Sequence, residues 1–225
     1  AYVWLRLGYF ARAIAFDIES AARAGVMGDR DLRSFALHTQ SWAYRHLGQL
    51  PEALRCATEA VVLARALDAP LTLAFALAHL AEAQMEAAAT ADEWAQAAAN
   101  FQEAAVTAHT IGKLIAAYEA EIGLAELARR RGDIAAARQQ IAPILPHLPT
   151  VAAVGWDEPL RAYVVCTQVL RAAQDPAAEQ ILDQGLHLLD CLANNITDRN
   201  LRQNFLHVVP AHCKLRALQF AEQAV

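Results

Sequence analysis

Residues 31–66 read DLRSFALHTQSWAYRHLGQLPEALRCATEAVVLARA. From Asp31 to Leu47 the spacing predicts a helix, and Gly48 follows as the residue type that ends a helix in the left-handed conformation. Pro51 sits where a second helix begins, because a first-turn proline forfeits no helical hydrogen bond. That helix is expected to reach Ala66. Two helices joined by a tight turn make a hairpin, and Ala53, just past the turn, is small enough for a neighbouring helix to approach closely.

The alanine recurs along the chain. Ala13, Ala53, Ala97, Ala137 and Ala178 are 40, 44, 40 and 41 residues apart, each after a turn cue at the head of an apolar stretch. A larger apolar residue follows four positions later, as Ile141 follows Ala137. Phe75-Ala76-Leu77 echoes Phe35-Ala36-Leu37 after 40 residues, and extra residues at Thr90-Ala91-Asp92 account for the single step of 44. Such a period marks an array of helical hairpins stacked in sequence order. The fold class is therefore all-α, an α-solenoid of about five hairpins read as one domain over 1–225. The units lie at about 1–27, 30–68, 70–111, 113–148 and 158–193, and a tail at 197–225 is expected to cap the stack with helices near Arg199–Leu206 and Ala211–Gln223. In the first unit Gly25, Gly28 and Asp29 are expected to break the chain after a helix ending near Ala24. Pro143 falls inside a helical pattern and predicts a kink or early end. Pro146, Pro149, Gly155 and Pro159 mark the one irregular connection and the candidate hinge.

Composition narrows the function. With 56 % hydrophobic residues and only nine glycines and eight prolines in 225 residues, the chain can bury a continuous core and is not disordered. A formal net charge of −5 offers no broad basic field, so direct nucleic-acid binding is not expected. The apolar stretch 71–89 is interrupted by His79, Glu82, Gln84 and Glu86, which argues against a membrane span. The chain opens at Ala1 without an initiator Met or a signal-peptide core, and it is expected to be part of a longer polypeptide. Cys56, Cys166, Cys191 and Cys213 are far apart and form no CxxC pair, which fits free thiols packed as small apolar residues in a reducing compartment.

Catalytic patterns are weak. Gly112-Lys113 lacks the upstream glycine and the following Ser or Thr of a phosphate-binding loop. Ser20, Ser34 and Ser41 lie at or within predicted helices, with no strand-to-helix elbow around them. His187 and Cys191 share a helix face, and His207, His212 and Cys213 cluster near the end, but no further ligand pair has convincing spacing, so no metal is assigned. Glu119, Glu121 and Glu126 are expected on a solvated helix face. Arg129, Arg130 and Arg131 complement the dipole at that helix's C-terminal end. Neither an enzyme nor a cofactor is implied.

The turn-centred pattern resembles the tetratricopeptide repeat. In the second unit the matching residues are Leu37, Ser41, Tyr44, Gly48, Leu50, Ala53, Ala57 and Ala60; in the fourth they are Leu124, Ala125, Gly132, Ile134, Ala137, Ile141 and Ile144. A period near 40 exceeds the usual 34 and implies longer helices. The run WDEPLRAYVVCTQVLRAAQDP (156–176) and the run TDRNLRQNFLHVVPAHCKL (197–215) are similar to the C-terminal end of large bacterial signalling ATPases of the STAND type. Those join a nucleotide-binding module to a tetratricopeptide array, often behind a cyclase, protein kinase or transcription-activation domain.

The resemblance implies a right-handed superhelix and a cytoplasmic, non-catalytic region for sensing or protein interaction. Its partners would be a protein or peptide, or upstream domains of the same polypeptide. The alternatives are a small-molecule inducer sensor and a self-association module. In that family's stacking the first helix of each unit lines the concave side. This places His38, Trp42 and Arg45 there, then Glu82 and Met85, then Ile122, Glu126 and Arg129, then Arg161, Val164, Gln168 and Arg171. Tyr44 falls on the packing face and Trp42 points away, so Trp42 is expected either as an exposed indole beside Arg45, anchoring a peptide or ring, or as a residue covered by the preceding hairpin. Trp4, Trp94 and Trp156 are expected in the core or beneath the irregular connection.

Overall fold

The recurring alanines are buried in every unit. Ala13, Ala53, Ala97 and Ala137 have no solvent exposure and Ala178 has almost none. In a computed structural model, which describes residues 1–151 and 157–220, the chain is helical with no strand among the described residues. The helices are α1 Tyr2–Arg6, α2 Phe10–Met27, α3 Arg30–His46, α4 Leu50–Ala66, α5 Pro70–Ala87, α6 Ala91–Thr110, α7 Leu114–Arg130 and α8 Ile134–Ile141. A 3₁₀ turn at Leu145–His147 precedes α9 Leu148–Val151, α10 Pro159–Ala172, α11 Ala177–Asn194, α12 Arg199–His207 and α13 Pro210–Phe220.

Local chemistry sets these boundaries. Asp29, Thr90, Asp133 and Asp198 cap the N-termini of α3, α6, α8 and α12, each side chain accepting from a backbone N–H of the first turn. Thr90 and Glu93 form a reciprocal capping box, so the segment read as extra linker, Thr90-Ala91-Asp92, is the start of α6. The break expected at Gly25 comes later. α2 runs through it to Met27, and Gly28, at φ 72°, supplies the left-handed cap. Pro143 does end its helix early: α8 stops at Ile141.

The chain divides into two compact units. The first holds residues 1–5 and 9–124, the second 6–8 and 125–225, and the division falls inside α7. In the first unit α2 to α6 each pack on the next in sequence, and α3 also packs on α5. In the second unit α10 packs on α8, α11 and α13, while α12 and α13 lie against α11 and each other, so the tail covers the last hairpin. Part of the candidate hinge, together with Trp156 and Gln223, lies outside the described residues. Of the hinge's described residues, 146–151 are helical and 157–158 form a bend before α10 begins at Pro159.

Two glycines are required by close approach. A Cβ on Gly123 would lie 2.2 Å from the Phe101 ring, and one on Gly185 would lie 2.8 Å from Tyr163 Cβ. Both are helix-to-helix contacts that only a missing side chain allows.

Candidate functional site

The first-unit residues expected on a concave surface are instead packed between α3 and α5. His38, Trp42, Arg45, Glu82 and Met85 are all buried. Of the two readings open for Trp42, the structure has the one in which the preceding hairpin covers it. Its indole is covered by Tyr2, Leu5 and Phe10 of the first hairpin, and it stacks on His79 at 5.6 Å. Its Nε1 donates to His46 Nε2 at 2.7 Å. An indole so enclosed anchors helices to one another and offers no exposed ring to a ligand.

Charge inside this cluster is matched across helices. Arg45 of α3 reaches Glu82 at 2.8 Å and Glu86 at 2.9 Å on α5, and His79 Nδ1 lies 3.5 Å from Glu82. His38 stacks with His79 at 5.5 Å and with Phe75 at 6.0 Å, edge-on to Phe35. Neither ring nitrogen of His38 has a hydrogen-bond partner among the described residues. Burial, and then the neighbouring His79, hold His38 well below the usual histidine range, so it is neutral at physiological pH. His46, His79 and Glu86 belong to this cluster but carry no mark in the sequence beyond sharing helix faces with their neighbours.

Another carboxylate is buried nearby without a side-chain cation. Asp17, four residues after Ala13, stands where the period puts Ala57, Phe101, Ile141 and Leu182 in later units. It accepts from Thr39 Oγ1 at 2.9 Å. Burial raises its carboxyl to about 6, against the opposing pull of that hydrogen bond and of the chain's amino terminus.

In the second unit Glu126 is not on the solvated face expected of it. Its carboxylate is buried and accepts from Arg129 Nε at 2.8 Å, Arg129 Nη2 at 3.0 Å and Arg130 Nε at 2.7 Å. Burial pushes Glu126 upward, but the two arginines outweigh it and hold the carboxyl at about 2. Lys214 of α13, which the sequence reading missed, stands within the field of Glu126, Arg129, Arg130 and Arg161. Its pKa is lowered by burial first and by the three arginines, against the attraction of Glu126.

The remaining expected residues have structural partners or surroundings. Arg171 is fixed by Glu179 through two bonds of 2.8 and 2.7 Å and by the Leu218 carbonyl at 2.9 Å, so it ties α10 to α11 and to the tail. Gln168 is partly buried with its Oε1 enclosed, and Val164 and Ile122 are core residues. Trp4 lies against the first-hairpin core with the Arg12 guanidinium 3.7 Å above its ring, and Trp94 is partly buried.

The four cysteines are free thiols, Cys56 and Cys166 buried. No group of three or more His, Cys, Asp or Glu among the described residues is placed to hold a metal ion. No described helix is long and apolar enough to cross a membrane.

Neither a scan against protein-family models nor a search of curated proteins finds a match to this chain.

Proposed function

We propose that the chain is a helical-repeat region of the tetratricopeptide type, a right-handed superhelix that senses or binds partners without catalysing a reaction, within a cytoplasmic signalling ATPase of the STAND type. The observation that carries this reading is the repeated buried alanine of the second helices, together with the packing of α3 on α5 while α2 to α6 each also pack on the next helix in sequence. Stacked hairpins of this kind expose large surfaces and propagate changes between adjacent units. The partner in this reading is a protein or peptide, or the nucleotide-binding portion of the same polypeptide.

The test compares the full-length polypeptide with a form lacking this region, measuring ATP hydrolysis. Loss of regulated hydrolysis on deletion, with no hydrolysis by the isolated region, supports the proposal. ATP hydrolysis by the isolated region that a point substitution within it abolishes would overturn it.

A further inference from the structure

Packing in the first unit is uneven around α3. On one side α3 meets α5 directly, but α2 and α4, which both pack on α3, have no extensive contact with each other. The gap between them is an open groove of about 380 Å³. That is inside the range of roughly 300–1,000 Å³ typical of small-ligand sites.

One wall is apolar and kept low. Ile18 of α2 is half exposed along it, beside Ala22 and Gly25. Gly25 lies within the helix, where glycine weakens the backbone, yet a Cβ built on it would meet nothing within 4 Å. Packing does not demand a glycine there, and its missing side chain leaves the groove open.

The other wall and the floor are polar. Arg33 donates to Glu59 at 2.5 Å, and Arg55 lies 3.7 Å from the same carboxylate, so two guanidinium groups share one negative charge. At the floor Gln40 is nearly fully buried, and its Oε1 accepts a long contact of 3.8 Å from the Cys56 thiol. No group among the described residues accepts from its Nε2. The Gln40 amide N–H, open to the groove and without an acceptor among the described residues, and one guanidinium in excess of the carboxylate on this wall both favour an anionic oxygen.

We propose that this groove binds an amphipathic monocarboxylate, its apolar body against Ile18, Ala22 and Gly25 and its carboxylate between Arg33, Arg55 and the Gln40 amide. Such a group is carried by a free organic acid or by the C-terminus of a peptide ending in an apolar residue. The site shares no residue with the α3–α5 cluster and does not depend on the class of the parent protein, so failure of the ATP-hydrolysis test leaves it standing.

The test is an NMR titration of the intact chain with octanoate and with the peptide Ac-Ala-Ala-Leu. Each is compared with its uncharged counterpart, octanamide or the peptide's C-terminal amide. The expected result is a perturbation of backbone amides in 18–25 and 33–40 by at least one of the acids, with its amide binding at least tenfold more weakly. Arg55→Gln, at an exposed side chain, is expected to weaken binding about tenfold. Gly25→Leu is expected to abolish binding while leaving the helical circular dichroism and the unfolding midpoint intact, since the new side chain occupies empty space. Response to octanoate identifies a free-acid site, and response to the peptide alone identifies a C-terminus site. Equal binding of charged and uncharged probes, full affinity in Gly25→Leu, or no perturbation by either acid at millimolar concentration overturns the proposal.

Discussion

Glu82 and Glu126 stand at equivalent places in α5 and α7, 44 residues apart, and both carboxylates are buried. They are neutralised in opposite ways. Glu82 depends on Arg45, a side chain 37 positions earlier on another helix, and the pair is enclosed, with 7 % and 6 % side-chain exposure. Glu126 depends on Arg129 and Arg130, three and four residues ahead on its own helix, and those arginines remain 25 % and 33 % exposed. The first arrangement fastens one helix to another. The second satisfies a carboxylate through hydrogen bonds that α7 itself provides.

The sharpest way to break this contrast is Arg45→Met. Removing one partner of an enclosed pair leaves Glu82 and Glu86 facing α3 without a guanidinium, a loss expected at about 3–5 kcal/mol. Urea unfolding followed by the tryptophan fluorescence of Trp42 would measure it. Adding Glu82→Gln to Arg45→Met should restore part of the loss, because the stranded charge is gone. A cost for Arg45→Met below about 1 kcal/mol would mean that stacking of Trp42, His79 and His38 alone holds α3 to α5.

Asp17 extends the comparison to a buried carboxylate that has no arginine or lysine partner. Its carboxyl is raised to about 6 from an unfolded value of 3.8, so between those pH values the folded chain binds more protons than the unfolded one. The contribution is fully present below 3.8 and is lost as pH rises through 6, by roughly 2–3 kcal/mol at most. Asp17→Asn retains an acceptor for the Thr39 hydroxyl and is expected to raise stability at pH 7 by about 1–2 kcal/mol, with no gain at pH 4. Denaturation midpoints at the two pH values check this.

His38 acts with the opposite sign. Its depressed folded pKa means that stability is lost as pH falls below its ordinary value of 6.5, where the unfolded chain takes up a proton that the folded chain refuses. In Asp17→Asn that loss is unopposed. Stability of the variant should fall more steeply than that of the parent between pH 6 and 4.

What the sequence revealed follows from how local each feature is. The recurring alanines could be read at once, because a small residue at a fixed place in a period reports a close helix contact wherever it occurs. The partnership of Glu126 with Arg129 and Arg130 was also open to reading from helical spacing, although its burial was not. Trp42 was ambiguous because its exposure depends on α1 and α2 lying over it, and no local pattern encodes that. The Arg45–Glu82 pair depends on how α3 crosses α5. Asp17 broke the apolar period without announcing that it would be buried. Gly25 was read as a chain break, since a glycine near a helix end usually is one, and the groove beside it arises from the separation of α2 and α4.

The smallest expected effect sharpens the contrast most. In Arg130→Met, Arg129 retains both of its hydrogen bonds to Glu126 and the carboxylate keeps a cation, so the loss should stay at about 1 kcal/mol or less. Glu126 should nevertheless titrate above its present value of about 2, because one of the two arginines that outweigh burial is gone. NMR of the side-chain carboxyl would follow that rise while the unfolding midpoint scarcely moves. The double variant Arg129→Met with Arg130→Met removes both arginines and should cost more than the two single losses combined, since only then does the buried carboxylate lose every guanidinium that donates to it. If Arg130→Met alone cost as much as Arg45→Met, charges supplied by a carboxylate's own helix would be no more dispensable than charges supplied across a helix interface, and the distinction between Glu82 and Glu126 would fail.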